Sequence, residues 1–268
     1  IEKPGVPMVS TGLYVPAGAI TDTPVRPGLA HMTATMLAEG TTTRSSQQIA
    51  EEMEFLGTQL DIEVGREYVM VAFESMTSHW TAALDVLADV VKNSIFPMGE
   101  LDRVRRENIT DLNRVGDYPV MIAERAARPL VYGRDSRMGH PVTGTVASME
   151  VLTQHEIVDH YNAYYGPDRA TIIVVGDVKG SDALSKAEFY FGDWASNKLK
   201  LPGCERVDVK SSVAPTTIYL ADKPGAAQSV VRAGQLTVSR HDPDFYALNL
   251  LNYVFGGQPT SRLFMNLR

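Results

Sequence analysis

The chain has 268 residues, 44% of them apolar, and a net charge of −7 from 25 basic and 32 acidic side chains, which gives enough apolar content for buried cores and length for two domains or one large one. It has no long single-sign charge block and no apolar run near the roughly 20 residues of a bilayer span, so neither a nucleic-acid footprint, a polybasic membrane patch nor a membrane-spanning helix is expected. A single cysteine, Cys204, excludes an internal disulfide and any CxxC metal site.

In chain order, Pro7 to Ala17 reads as a strand, followed by a polar loop from Ile20 to Pro27. Leu29, Met32, Met36 and Leu37 fall at helical spacing and Gly40 stops that helix. Ser45 and Gln48 stand in capping-box register ahead of a second helix carrying Ile49, Met53 and Leu56, which ends at Gly57. Alternation over Gln59 to Val64 and Glu67 to Met76 predicts a hairpin through Gly65 and Arg66. Helices are expected over His79 to Asn93, Gly99 to Val115 and Pro119 to Tyr132, then a Gly- and Pro-containing loop from Gly133 to Gly144. One helix is expected through "SMEVLTQHEIVDHYNAYY", leading into the β-branched run "RATIIVVGDV", read as a buried strand, and a last helix before Trp194. The first α+β domain is therefore set at 1–195, with a linker at 196–214 where periodicity fades.

After the linker the pattern restarts: strands at Thr216 to Leu220 and Ser229 to Leu236, a helix from Pro243 to Phe255, a Gly-Gly break, and a helix from Pro259. A shift of 217 residues lays Ala30 on Ala247, Gly40 on Gly257, Leu37 on Val254 and the strand Ser10 to Val15 on Ala227 to Arg232. The expected fold class is thus α+β, a duplicated unit of an antiparallel or mixed sheet covered by helices on one face. The second copy, 215–268, is too short to complete a unit of the first one's size, so the chain reads as a fragment or as lacking its remainder. The segment from Ile1 lacks a basic head and apolar core and starts close to a strand, which leaves room for an export signal ahead of it. The compartment stays open, with the periplasm slightly favoured over the cytoplasm.

Two histidines four residues apart share a helix face and can bind one zinc ion, while an acid between them acts as base on the metal-bound water. The phrase "GLAH", followed by a glycine, a threonine-rich turn and a second amphipathic helix, resembles the insulinase/pitrilysin family of zinc metallopeptidases, which writes the motif as HxxEH. The resemblance continues through "PGLAHMTATMLAEGTTTRSSQQIAEEMEFLGTQLDIEVGREYVMVAFESM", "IFPMGELDRVRRENI", "PLVYGRDSRMGHPVTGT", "HYNAYYGPDRATIIVVGDV" and "VFGGQPTSRLFMNLR", in family order over essentially the whole chain. It implies a fold like that of the mitochondrial processing peptidase.

Carried over residue by residue, the metal motif fails. His31 matches the first zinc histidine, but Ala34 stands for the general base and Thr35 for the second histidine. The family's third ligand, a glutamate on the helix of "VRRENITDL", falls on Asp111, one methylene short, and an upstream glutamate is replaced by Val104. No catalytic residue and no metal ligand set is therefore expected here, and His31 reads as a packed or capping helix residue. "HEIVDH" (His155 to His160) spaces its histidines five apart, about 140° around a helix, and reads as a solvated surface. His79, His140 and His241 stand at loops or helix starts, with capping and hydrogen bonding as their roles. No GxSxG, Walker or GxGxxG sequence occurs.

In the family's non-catalytic half, an arginine after an "SRL" helix and a tyrosine seven residues on hold the substrate backbone near the partner's zinc. "TSRLFMNLR" matches the start of that motif, making Arg268 the substrate-binding candidate; an arginine favoured by a helix C-terminus is the competing reading. The resemblance thus implies a non-catalytic subunit or half of a zinc-dependent peptidase. It would need no cofactor of its own and would supply chamber wall and substrate contacts to an HxxEH-bearing partner, a homologous subunit or an N-terminal half, that carries the zinc. Peptide substrates would be held by strand addition at a sheet edge. Two alternatives stay open: a structural or peptide-binding homologue outside proteolysis, and a degenerate hydrolase using His31, Glu107 and Asp111, the last two sharing a helix face.

Overall fold

A computed structural model describes residues 1–134, 136–196 and 216–267. These divide into two compact units, the first holding 1–134, 136–196 and 223–231, the second 216–222 and 232–267. Apart from Ser196, the expected linker lies outside the described residues, as do Cys204 and Arg268.

The first unit is α+β. In chain order it runs β1 (Met8–Val15), α1 (Leu29–Thr35, continued by a 3-10 turn Met36–Glu39), α2 (Ser46–Phe55), β2 (Asp61–Val64) and β3 (Val69–Met76). Then follow α3 (Trp80–Asn93), α4 (Met98–Arg114), α5 (Pro119–Tyr132), α6 (Val146–Val151), α7 (Gln154–Tyr164), β4 (Thr171–Gly176) and α8 (Gly180–Phe191). The four strands form one antiparallel sheet in the order β2-β3-β1-β4. Alternation decides which face is covered. Val9, Thr11, Leu13 and Val15 of β1 are buried and pair with buried Ser75, Phe73, Val71 and Val69 of β3, while Met8, Ser10, Gly12 and Tyr14 point the other way.

Helices cover the apolar face. α3 buries Ala83, Leu84, Val86, Leu87, Val90 and Val91, and is pinned at its start by Trp80 Nε1 donating to Thr11 Oγ1 at 2.8 Å. α1 and its 3-10 extension add Met32, Met36 and Leu37; α2 adds Ile49 and Met53; α4 adds Leu101, Val104 and Leu112. Each such Val, Leu or Met contributes about 1.5–3 kcal/mol when fully buried. The capping box expected at Ser45 and Gln48 is formed on α2, in both directions.

Three expectations are corrected. The single helix through Ser148 to Tyr165 is two, because Leu152 is extended and Thr153 opens α7 with its own capping box to Glu156. The β-branched run forms β4, but at the sheet edge and half exposed rather than buried, since no strand lies beyond it among the described residues. In the later part of the chain, 216–236 forms neither expected strand. β-branched composition favours a strand only where a neighbour takes up the backbone N–H and C=O groups, and no partner strand flanks these residues among those described. The second unit's helices are α9 (Phe245–Phe255) and α10 (Arg262–Leu267). No described helix is long and apolar enough to cross a membrane.

Candidate functional site

The site begins where the chain turns into α1. Gly28 takes φ +89°, and a Cβ there would come within 2.4 Å of Met149 Cε and 2.7 Å of Gly144 Cα, so the position needs glycine for both turn and close approach. The two backbone N–H groups that open the helix, on Gly28 and Ala30, donate to the separate carboxylate oxygens of Asp22, each at 2.7 Å. Asp22 is fully buried, and desolvation outweighs these bonds and the nearby Arg66 and Arg137, pushing its carboxyl up to about 7.

One turn into α1, His31 Nε2 meets Asn108 Oδ1 of α4 at 3.0 Å. The amide's other hand is fixed: Asn108 Nδ2 donates to Val104 O at 3.0 Å, so Oδ1 is the acceptor and the histidine carries its proton on Nε2. Burial lowers the His31 pKa and the Asn108 bond opposes that only in part, so the ring is neutral at neutral pH. The remaining motif positions are turned to other uses. Ala34 is fully buried in the core, Thr35 Oγ1 donates to His31 O at 2.9 Å, and Val104 is buried. Asp111 does not meet His31; it is exposed and pairs with Arg114 at 3.2 Å. Glu107, the other acid of the degenerate-hydrolase reading, pairs with Arg103 at 2.9 Å. Arg103 also binds Glu100 at 2.7 Å and Glu39, tying α4 to the turn after α1 and holding Asn108 over His31.

Zinc in the HxxEH arrangement that the sequence resembles calls for two imidazoles and a carboxylate on one ion. The position offers one imidazole whose Nε2 lone pair is replaced by a proton directed at an amide oxygen, together with an alanine and a hydroxyl already bonded to backbone. That donor set does not fit zinc, and among the described residues no three His, Cys, Asp or Glu side chains gather to hold a metal.

Other histidines sort by burial. His79 Nδ1 lies 3.0 Å from Leu56 O and His140 Nε2 2.8 Å from Arg134 O, ordinary hydrogen-bonding roles. "HEIVDH" is solvated only at its first member: His155 is exposed beside Asp159, whereas His160 is buried against Thr21. The step of about 140° that parts the pair sends one out and the other in. Sequence reasoning missed Asn108, Asp22 and the Thr21–His160 pair: the Asn108 and His160 contacts join elements 77 and 139 residues apart, and Asp22, though only six and eight residues from the N–H groups it accepts from, stands in a loop read as merely polar.

A family model described as Insulinase (Peptidase family M16) matches residues 1–134, half of the chain, and one described as Peptidase M16 inactive domain matches 152–268. A Bacillus subtilis (strain 168) protein named as an uncharacterized zinc protease, YmxG, is 29% identical over 267 residues, covering 100% of this chain and 63% of that protein. The beta subunit of the Rattus norvegicus mitochondrial-processing peptidase is 23% identical over 192 residues, 72% of this chain and 39% of that subunit. A Pseudomonas fluorescens crystal structure described as a peptidase M16 inactive domain superposes with a TM-score of 0.78 at 22% identity, over 100% of this chain and 64% of that one, a likeness of fold. The chain thus spans less than two thirds of the length of these relatives. On the match over its first half, and with the fold described above, the chain belongs to the insulinase family of peptidases, peptidase family M16.

Proposed function

We propose that this chain is a non-catalytic subunit or half of a zinc-dependent peptidase, furnishing chamber wall and substrate contacts to an HxxEH-bearing partner that holds the zinc. The observation that carries the reading is the His31–Asn108 bond: the one surviving motif histidine is neutral, protonated at Nε2 and closed off by an amide. Without a carboxylate at position 34 there is no base for a metal-bound water, and without a second imidazole at position 35 there is no pair of ligands on one face. The match to the inactive-domain model over 152–268 supports the same reading. Several relatives carry "zinc protease" in their names, and the activity those names describe would reside here in the partner.

The substrates in this reading are extended peptides. β2 is an edge of the sheet and packs beside α1, so a peptide added there as a strand would lie along the His31 helix and be read mainly through its backbone. Arg268, outside the described residues, is the further substrate contact in this reading. The domain boundary proposed with it is a first α+β domain over 1–195, a linker over 196–214 and a second homologous unit from 215.

Elemental analysis of the purified protein, with peptidase assays on the same sample alone and with an HxxEH-bearing partner, tests this. The expected result is less than stoichiometric zinc and turnover only with the partner. Stoichiometric zinc with activity in the isolated chain would overturn it, and peptide binding with no gain from any partner would favour a binding protein outside proteolysis.

A further inference from the structure

In a chain of net charge −7, one cluster of arginines stands without a paired carboxylate among the described residues. Arg66, in the β2–β3 connection, donates from Nη1 to Arg137 O at 3.0 Å and from Nη2 to His140 O at 3.1 Å. Arg128 of α5 donates from Nε to Met138 O, between those two carbonyls in sequence, at 3.3 Å. Arg125, one turn earlier on the same face of α5, donates to Gly144 O. The loop after α5 is therefore gripped by these arginines through its carbonyls. Among the described residues none of Arg66, Arg125 and Arg128 has a carboxylate within 4.0 Å. Asp22 acts on Arg66 only through space, both its oxygens being taken by the start of α1.

This arrangement has a cost that Asp22 offsets only in part. Arg66 and Arg125 are half buried and desolvated, and Arg66 is also repelled by Arg128, so two like charges are held together by neutral carbonyls. Carbonyl bonds fix direction but supply no opposite charge. Arg128 is exposed and already oriented: its guanidinium lies 5.2 Å from the centre of the Tyr132 ring, and its Nε is engaged by Met138 O. That leaves the paired Nη edge, the one that matches two oxygens of an anion, unengaged by any described residue.

We propose that Arg128, backed by Arg66 and stacked on Tyr132, is a binding site for an oxyanion, and that its ligand is the carboxylate of a peptide. The oxyanion chemistry stands on the arginines alone; the peptide as its carrier rests on the reading of the chain as a peptide-handling half. A free phosphate offers the same oxygens, so the test must separate the two sources.

The experiment uses the full-length protein and two fluorescein-labelled peptides identical except for a free or an amidated C-terminus. Fluorescence anisotropy gives their affinities, and thermal unfolding is followed with and without inorganic phosphate. The free acid is expected to bind about tenfold more tightly than the amide, the size of one lost charge-assisted contact. That gap is expected to close in Arg128→Gln and to shrink in Arg128→Lys, which keeps the charge but not the fork. Since Arg128 is exposed and makes one long backbone bond, both variants should fold, which circular dichroism checks. Equal affinities, or a gap that survives Arg128→Gln, would overturn the carboxylate assignment. No peptide binding, with phosphate stabilising the wild type but not Arg128→Gln, would overturn the peptide carrier and leave the non-catalytic reading to its own zinc and partner assays. No response to either ligand overturns the site.

Discussion

Thr21 Oγ1 lies 2.7 Å from His160 Nε2 and gives its own proton to Gly18 O at 2.7 Å, so the imidazole must be the donor between them. His160 is therefore the Nε2–H tautomer, with a bare Nδ1 buried beside no hydrogen-bonding partner among the described residues. Burial holds its pKa down at about 3, against 6.5 in the unfolded chain. A depressed basic pKa contributes stability that is fully present above the unfolded value and is lost as pH falls towards the folded one. Denaturant melts are expected to show stability falling as pH drops below 6.5, and His160→Gln, which cannot charge, should flatten that fall. An unchanged acid limb in the variant would show that His160 is not its source.

Asp22 titrates with the opposite sign. Its folded pKa of about 7 is raised from 3.8, so its contribution is fully present below 3.8 and is lost as pH rises through about 7. The stability gap between the wild type and Asp22→Asn is expected to narrow over that window. Urea melts of both proteins at pH 4, 5.5 and 7.5 measure it. A gap that widens with pH would mean that the α1 N–H groups and Arg66 keep the carboxylate charged.

Glycine is required at the start of α1 for two reasons at once, positive φ and contact with Met149 and Gly144. Gly28→Ala is expected to cost at least about 2 kcal/mol, the two penalties adding. Gly99, in the first turn of α4, is the control, because a methyl group placed on its Cα would meet nothing within 4 Å. Gly99→Ala should be neutral or stabilising by up to about 1 kcal/mol. Thermal melts of the two variants decide the comparison.

The motif can also be rebuilt. Ala34→Glu with Thr35→His restores HxxEH in sequence, yet Asn108 still holds the Nε2 proton of His31. The double variant is expected to bind zinc weakly, and adding Asn108→Ala should tighten binding by about tenfold or more, the scale of a partner contact to a ligating histidine. Zinc titration by calorimetry reads both. Equal affinity with and without Asn108 would show that the amide does not guard the site.

Most of the first unit was legible because its elements are written locally. The helical apolar spacing of α1, the Ser45–Gln48 box and the alternation of β3 each need only their own residues to be read. What was not legible depends on partners. The run at Thr171–Gly176 looks buried by composition, but its exposure follows from its place at the end of the sheet. The segments around Ile218 and Val231 have strand composition without a neighbour among the described residues. At the site, the alanine and threonine at positions 34 and 35, where HxxEH has a glutamate and a histidine, were readable directly. That Asn108 rather than Asp111 faces His31 was not, because both lie on the same helix and only packing separates them.

The strand order sets the sequence of events during synthesis. Of the four described strands β1 emerges first and meets β3 once residue 76 is made, but the strand that pairs with its other edge in this sheet, β4, begins only at Thr171. At about 5–20 residues per second, that interval lasts roughly 5 to 20 s. Throughout it the central strand presents an open row of backbone donors and acceptors, the surface on which a wrong strand or another nascent chain can pair. The helices from Trp80 to Tyr164 are made within that gap, so their collapse onto the Val9–Val15 face must keep the register of a strand whose second neighbour does not yet exist.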